Sequence, residues 1–170
     1  MSAAWYKEQP KNRNYLSPVG FKLSLELFAG VDFFCQEANL PNITMPFTEV
    51  PTRFRTFPIA ACGGVEYGDL NVTFIIDEDL VNYLSIKTWI EKNADSNETN
   101  LGEVAYSNGQ LAIATSNFNT SHIIEFERLF PVSLTEIKFD STATDIEYFT
   151  ANVVFKYSIF NVRNKNFKKL

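Results

Sequence analysis

One histidine and two cysteines limit what this chain can do chemically. His122, Cys35 and Cys62 are its entire stock of these residue types. Zinc sites built from several histidines, four cysteines or paired cysteines and histidines are therefore excluded. Cys35 and Cys62 match no metal or redox spacing and read as buried thiols, free cysteine being among the most buried residue types. A disulfide between them is the alternative, disfavoured in a reducing compartment. Asp77-Glu78-Asp79 is a single acidic run without a second cluster of matching ligands, and it reads as the start of a helix. His122, between Ser121 and Ile123, has no nucleophile motif around it. An enzyme would need a deep polar pocket there. None of G-x-S-x-G, G-x-x-x-x-G-K-[ST] or G-x-G-x-x-G occurs, and Gly63-Gly64 reads as a turn rather than a phosphate cradle. Four Asn-x-Ser/Thr matches, at Asn42, Asn71, Asn97 and Asn119, carry no weight without a secretory leader. The residues predict no enzyme, no cofactor and no metal.

Charge is placed unevenly. The chain has 170 residues and a net charge of −5, yet residues 1–18 carry +2 and residues 161–170 carry +4. The body, residues 19–160, is left at −11. An acidic body with basic ends argues against nucleic acid held on the folded surface. The basic ends are either contacts to acidic surfaces on neighbouring copies or solvated tails. The first residues, Met1-Ser2-Ala3-Ala4-Trp5-Tyr6-Lys7, lack the apolar segment of a secretory signal. Apolar runs such as Phe74-Ile75-Ile76 are far too short for a bilayer span, so no membrane insertion is expected.

The elements that must position any functional residue are mostly strands. Aromatic residues reach 15% of the chain, with 16 Phe, and β-branched residues are frequent. Phe21-Lys22-Leu23-Ser24-Leu25-Glu26-Leu27 alternates throughout, with Phe21, Leu23, Leu25 and Leu27 on one face. Residues 31–38 read as its hairpin partner across Ala29-Gly30. Residues 40–64 hold Pro41, Pro46, Pro51 and Pro58, which excludes a central strand because proline lacks a ladder donor. The segment is too apolar for an idle loop, and it reads as an extended contact arm. Leu70–Ile76 is another alternating strand, followed by one helix at about 79–92 with Asp77 as N-cap. Leu80, Tyr83, Leu84, Ile86 and Ile90 share one helix side and are the expected packing face. Trp89 reads as a core or partner contact. Residues 93–109 read as a loop, with strands at 111–115 and 123–129, a corner at Leu129–Ser133, an extended run at 135–139 and a long final strand from Phe149 to Ile159. About eight strands and one helix make a β-sandwich or half-barrel of two antiparallel sheets with a flanking helix.

The order of these pieces carries a resemblance. Asn14–Phe21 opens an alternating strand; a cysteine-bearing strand ends in Ala38-Asn39-Leu40-Pro41. The Pro- and Arg-containing segment ends near Gly63–Asp69, and Leu70–Ile76 leads through Asp77-Glu78-Asp79 into the Trp89 helix. Leu129-Phe130-Pro131-Val132 and an Asp-rich turn precede the last strand. Over residues 14–160 this resembles the tail tube proteins of T4-like contractile-tailed phages, which are related in fold to type VI secretion tube proteins and to baseplate hub and tube-initiator domains.

The resemblance implies a structural virion protein of the phage tail, assembled in the host cytoplasm. Its subunits form hexameric rings whose strands complete a β-barrel, and the rings stack into a channel for DNA, which passes without specific binding. Sheath and baseplate or tube-initiator proteins are the implied partners beside the chain itself. The expected division is an arm at 1–15, a tail-tube domain at 16–160 and a basic tail at 161–170. Phe47, Val50, Arg53, Phe54, Arg55 and Phe57 are the candidates for stacking between rings. Lys22, Ser24, Glu26, Asn71 and Thr73, on polar strand faces, are the candidates for lining the channel. The alternatives are a tube-initiator or baseplate hub component at the tube end and a monomeric β-sandwich binding module.

Overall fold

The computed structural model describes residues 15–16, 18–27, 34–61, 63–95, 105–117, 119–139 and 148–164. Residues 1–14 of the expected arm at 1–15, Cys62, the turn at 29–30, the loop segment 96–104 and the Asp-rich turn at 140–147 lie outside the described residues. The elements are β1 (Phe21–Leu25), β2 (Cys35–Ala38), β3 (Ile43–Thr44), β4 (Phe47–Pro51), β5 (Thr56–Ala60), β6 (Glu66–Tyr67) and β7 (Leu70–Ile75). Helix α1 (Val81–Ala94) is followed by β8 (Ser107–Ala114), β9 (Thr120–Leu134), β10 (Thr150–Lys156) and β11 (Ile159–Asn164).

Two antiparallel sheets share one core. The first runs β1-β8-β9-β11 and the second β2-β7-β10-β9. β9 belongs to both: residues 120–129 pair with β8, 122–127 also with β11, and 130–134 with β10. It changes sheets at Arg128, whose φ of 55° is unusual for a residue with a Cβ. A register shift in β8 opposite this point marks a bulge, which bends a strand and lets it serve two sheets. Arg128 N–H reaches Asn108 Oδ1 at 3.4 Å, and its guanidinium lies 4.5 Å from the Tyr106 ring centroid. The switch therefore comes one residue before the expected corner at Leu129–Ser133, and β9 continues through Pro131 with a register shift against β10 beside it.

Alternation explains the core. Leu23, Leu25, Leu111, Ile124 and Phe126 point inward from the first sheet; Leu70, Val72, Phe74, Ala151, Val153 and Phe155 meet them from the second. Each large side chain so buried contributes on the order of 2 kcal/mol. Helix α1 adds Ile86 and Trp89, whose indole N–H donates to the Ala105 carbonyl at 2.6 Å.

Several expectations need correction. β1 and residues 35–38 are not hairpin partners: β1 pairs with β8, and β2 with β7 in the other sheet. Both strands carry an apolar face, and the core accepts them from opposite sides. Asp77 is not the helix cap. Its carbonyl takes the Leu80 N–H in a turn, and Leu80 itself occupies the cap position with φ 58° and no side-chain cap. Buried Asn82 does the joining, donating to the Ile75 carbonyl at 2.8 Å and accepting from Asp77 N–H at 3.3 Å. The packing face accordingly runs Asn82, Ile86, Trp89. Tyr83, Ile90 and Leu80 are half-buried, and Leu84 is 49% exposed, off that face. Cys35 is half-buried rather than buried. The final strand breaks at Tyr157–Ser158, and the added residue moves the inward positions to Phe160 and Val162. Residues 161–164, expected in a tail, thus form part of β11, and residues 165–170 lie outside the described residues. Residues 135–139 follow β9 outside any strand.

Candidate assembly surfaces

The proline-rich segment folds as a ribbon rather than as an extended arm. β4 and β5 pair with each other from Phe47↔Ala60 to Pro51↔Thr56 and join no other strand. Pro51 and Pro58 are tolerated because each strand has an open side, where a missing donor costs nothing. The turn is closed by Thr52 N–H to the Arg55 carbonyl at 3.0 Å. All ten strand residues are exposed, and Phe54 at the tip is 92% exposed. The guanidinium groups of Arg53 and Arg55 lie 5.8 and 5.9 Å from the Phe54 and Phe57 ring centroids. The structure thus brings all six stacking candidates onto one projecting hairpin. Val50 and Phe57 share a face with Ile59, while Phe47 lies on the other.

The ribbon has a firm root. β3 pairs with β6, and Gly68 N–H donates to the Asn42 carbonyl at 2.9 Å. A Cβ at Gly68 would come within 1.8 Å of Asn42 Oδ1, so a side chain at residue 68 would push the Asn42 amide aside. Tyr157 donates its hydroxyl to the Gly68 carbonyl at 2.9 Å, and its ring contacts Phe126, Tyr67 and Phe160. Burial, then the Asp69 carboxylate and Tyr67, push the Tyr157 hydroxyl up to about 12.

The channel-lining candidates separate. Ser24 on β1 is level with Gln110, Glu125 and Asn161, and Lys22 with Ala112, Ile123 and Arg163. Glu26 accepts from Asn108 Nδ2 at 2.9 Å, and Glu127 from Asn161 Nδ2 at 3.0 Å. Arg163 Nε lies 2.6 Å from Glu125 Oε2, a charge contact rather than a directed hydrogen bond. One polar surface therefore crosses all four strands of the first sheet. Asn71 and Thr73 lie on the outer face of the second sheet, where Thr73 Oγ1 accepts from Asn152 Nδ2 at 3.2 Å. With the core between the sheets, the two groups face opposite ways and cannot share one wall. Glu125, Glu127 and Arg163 share that surface and are not among the sequence candidates; the polar alternation of 121–127, interrupted by Ile123, signals the two glutamates.

Among the described residues, the first sheet ends at β1 on one side and β11 on the other, each with a single neighbour. Ala114 N–H donates to the Gly20 carbonyl and Glu26 N–H to the Asn108 carbonyl. The antiparallel ladder then turns the backbone groups of Phe21 and Leu23 toward the open edge. Among the described residues no group of three His, Cys, Asp or Glu could hold a metal. His122 Nδ1 meets Ser121 Oγ at 2.8 Å. No helix among the described residues is long and apolar enough to cross a membrane.

The family described as phage tail tube protein matches residues 8–163. The chain belongs to that family. This tail tube protein is a structural component of the virion tail and not an enzyme. Solved structures share its fold at low identity. The cap that terminates the anti-feeding prophage (AFP) tube has a TM-score of 0.66 at 12% identity, covering 93% of this chain and 97% of that one. A chain of the PVC sheath-tube complex, an extracellular contractile injection system in its extended state, has a TM-score of 0.64 at 13% identity, covering 96% and 99%. An Hcp protein has a TM-score of 0.52 at 8% identity, covering 80% and 74%. A search of curated proteins finds no sequence match.

Proposed function

We propose that this subunit closes with five others into a ring, by pairing β1 of each copy with β11 of the next, and that the rings stack into a tube. The open edges of the four-stranded first sheet carry this reading. Because neighbours in that sheet are antiparallel and it has an even number of strands, β11 and the next β1 also meet antiparallel. Closure then leaves the first sheet without an exposed edge strand. Six-fold symmetry is that of the AFP baseplate structure, a chain of which shares this fold at a TM-score of 0.62 and 10% identity.

The polar face of the first sheet becomes the wall of the channel. Lys22, Ser24 and Glu26 belong to it, with Glu125, Glu127 and Arg163, and carboxylates outnumber cations there. A basic wall would hold DNA phosphates through counterion release, whereas this one lets DNA pass without binding. Asn71 and Thr73 face outward, toward a sheath of the kind that surrounds the PVC tube. Baseplate proteins are the partners expected at the tube's end, in keeping with the likeness to a chain of the AFP baseplate. The exposed β4–β5 hairpin, with Phe47, Val50, Arg53, Phe54, Arg55 and Phe57, joins ring to ring.

A second reading is favoured by the likeness to the AFP cap: a ring at the tube's end. Electron microscopy of the purified protein over a range of concentrations separates the two. Long stacks support the tube body; one or two rings that grow no further support the end position. A protein that stays monomeric at high concentration overturns both and leaves the monomeric binding module.

A further inference from the structure

A groove of about 650 Å³ opens at the end of the second sheet where β7 leaves for helix α1. Phe34, Ile76 and Phe149 form its floor, held together by Ile75 N–H to the Phe34 carbonyl and Ile76 N–H to the Phe149 carbonyl. Phe139 and Tyr148 stand at its mouth, 73% and 80% exposed. Asp77 and Glu78 give it an acidic rim. Aromatic side chains this exposed, at the rim of an apolar cavity, mark a surface made to be covered.

We propose that this groove receives the Arg53-Phe54-Arg55 hairpin tip of a second copy of the chain. The inference rests on the tube reading above and names the surface the hairpin meets. Chemistry matches on the two sides: a solvent-exposed phenyl ring flanked by two guanidinium groups meets an aromatic cavity edged by two carboxylates. Topology matches as well. The ribbon leaves the second sheet where β2 ends at Ala38 and β7 begins at Leu70, whereas the groove lies at the Phe34 and Ile76 end. The ribbon's root and the receptor are thus at opposite ends of one sheet, and Phe54, exposed and absent from the groove's lining, is not in its own groove. The contact between copies is heterologous and head to tail. Such a contact propagates as an open stack unless its rotation closes a ring.

The test is a charge exchange in the full-length protein. Arg53→Glu with Arg55→Glu reverses the tip, and Asp77→Lys with Glu78→Lys reverses the rim. The measurement is the protein concentration at which half the material sediments as tubes, with circular dichroism and ring images checking the fold. Either pair alone is expected to raise that concentration at least about tenfold while single rings persist. All four changes together should return it to within about threefold of the unmodified protein, which misfolding could not do. Normal tubes from the rim variant, or from the tip variant, overturn the proposal and leave the ring reading standing. A rim defect without a tip defect points to the basic ends as occupant and also overturns it. So does failure of the fourfold variant to recover. If the unmodified protein forms no rings, the tube reading itself falls and this contact with it.

Discussion

Asn82 shows how much one buried side chain can decide. It is 3% exposed and ties the end of β7 to the first turn of α1 through its bonds to Ile75 and Asp77. Removing the amide leaves a carbonyl and an N–H without these partners. Asn82→Ala should lower stability by about 2–3 kcal/mol, read from denaturant midpoints at constant slope. Nothing in the sequence marked it, since an asparagine inside an amphipathic helix reads as a surface position; its burial follows from the two-residue delay in the helix start. Tyr157 carries the pH dependence. Its hydroxyl titrates near 10 in the unfolded chain and near 12 in the folded one. The folded state therefore keeps its proton longer, so the stability gained is complete below pH 10 and lost as the pH rises through 12. Denaturation at pH 9 and pH 11.5 should show a drop that Tyr157→Phe reduces.

Strands were easier to read than their partners. Alternation identified β1, β7 and β10 because one face of each meets a core, and their inward residues are the ones buried. Pairing is a non-local property, so the neighbours of β1 and β2 could not be read from proximity in the chain. The proline content of 40–64 correctly barred a central strand, but an isolated ribbon with two open sides meets the same rule. Its stacking candidates came from the apolar and basic residues of that segment, and what was legible is that they lie together, on one exposed hairpin. For the channel-lining candidates only the faces were legible: polar alternation finds faces but cannot say which sheet they belong to. The edge of β1 gives the element-scale prediction. Leu23 N–H points to the open side, while Ser24 N–H points to β8. Hydrogen exchange on rings and on dissociated subunits should therefore show Leu23 protected on assembly by roughly a hundredfold or more. Ser24 should change far less. Equal protection of both, or none at Leu23, would remove β1 from the ring junction.

In the assembly we propose, two kinds of contact hold copies together, and salt should separate them. Ring closure through β1 and β11 rests on backbone hydrogen bonds and apolar packing, which ionic strength barely touches. Stacking through Arg53 and Arg55 against Asp77 and Glu78 rests in part on charges at exposed rims. Screening shortens the reach of such charges from about 10 Å at 0.1 M salt to about 3 Å at 1 M. The hairpin's aromatic residues contribute an unscreened share, so stacking should weaken without vanishing. Raising salt from 0.05 to 0.5 M is then expected to shorten tubes toward single rings before any ring opens, as read by electron microscopy and sedimentation. The order of loss is the diagnostic. Rings that dissociate to monomers while stacks persist would place the charged contact at the ring junction and the backbone ladder between rings, the reverse of the arrangement argued from the open edges and the projecting tip.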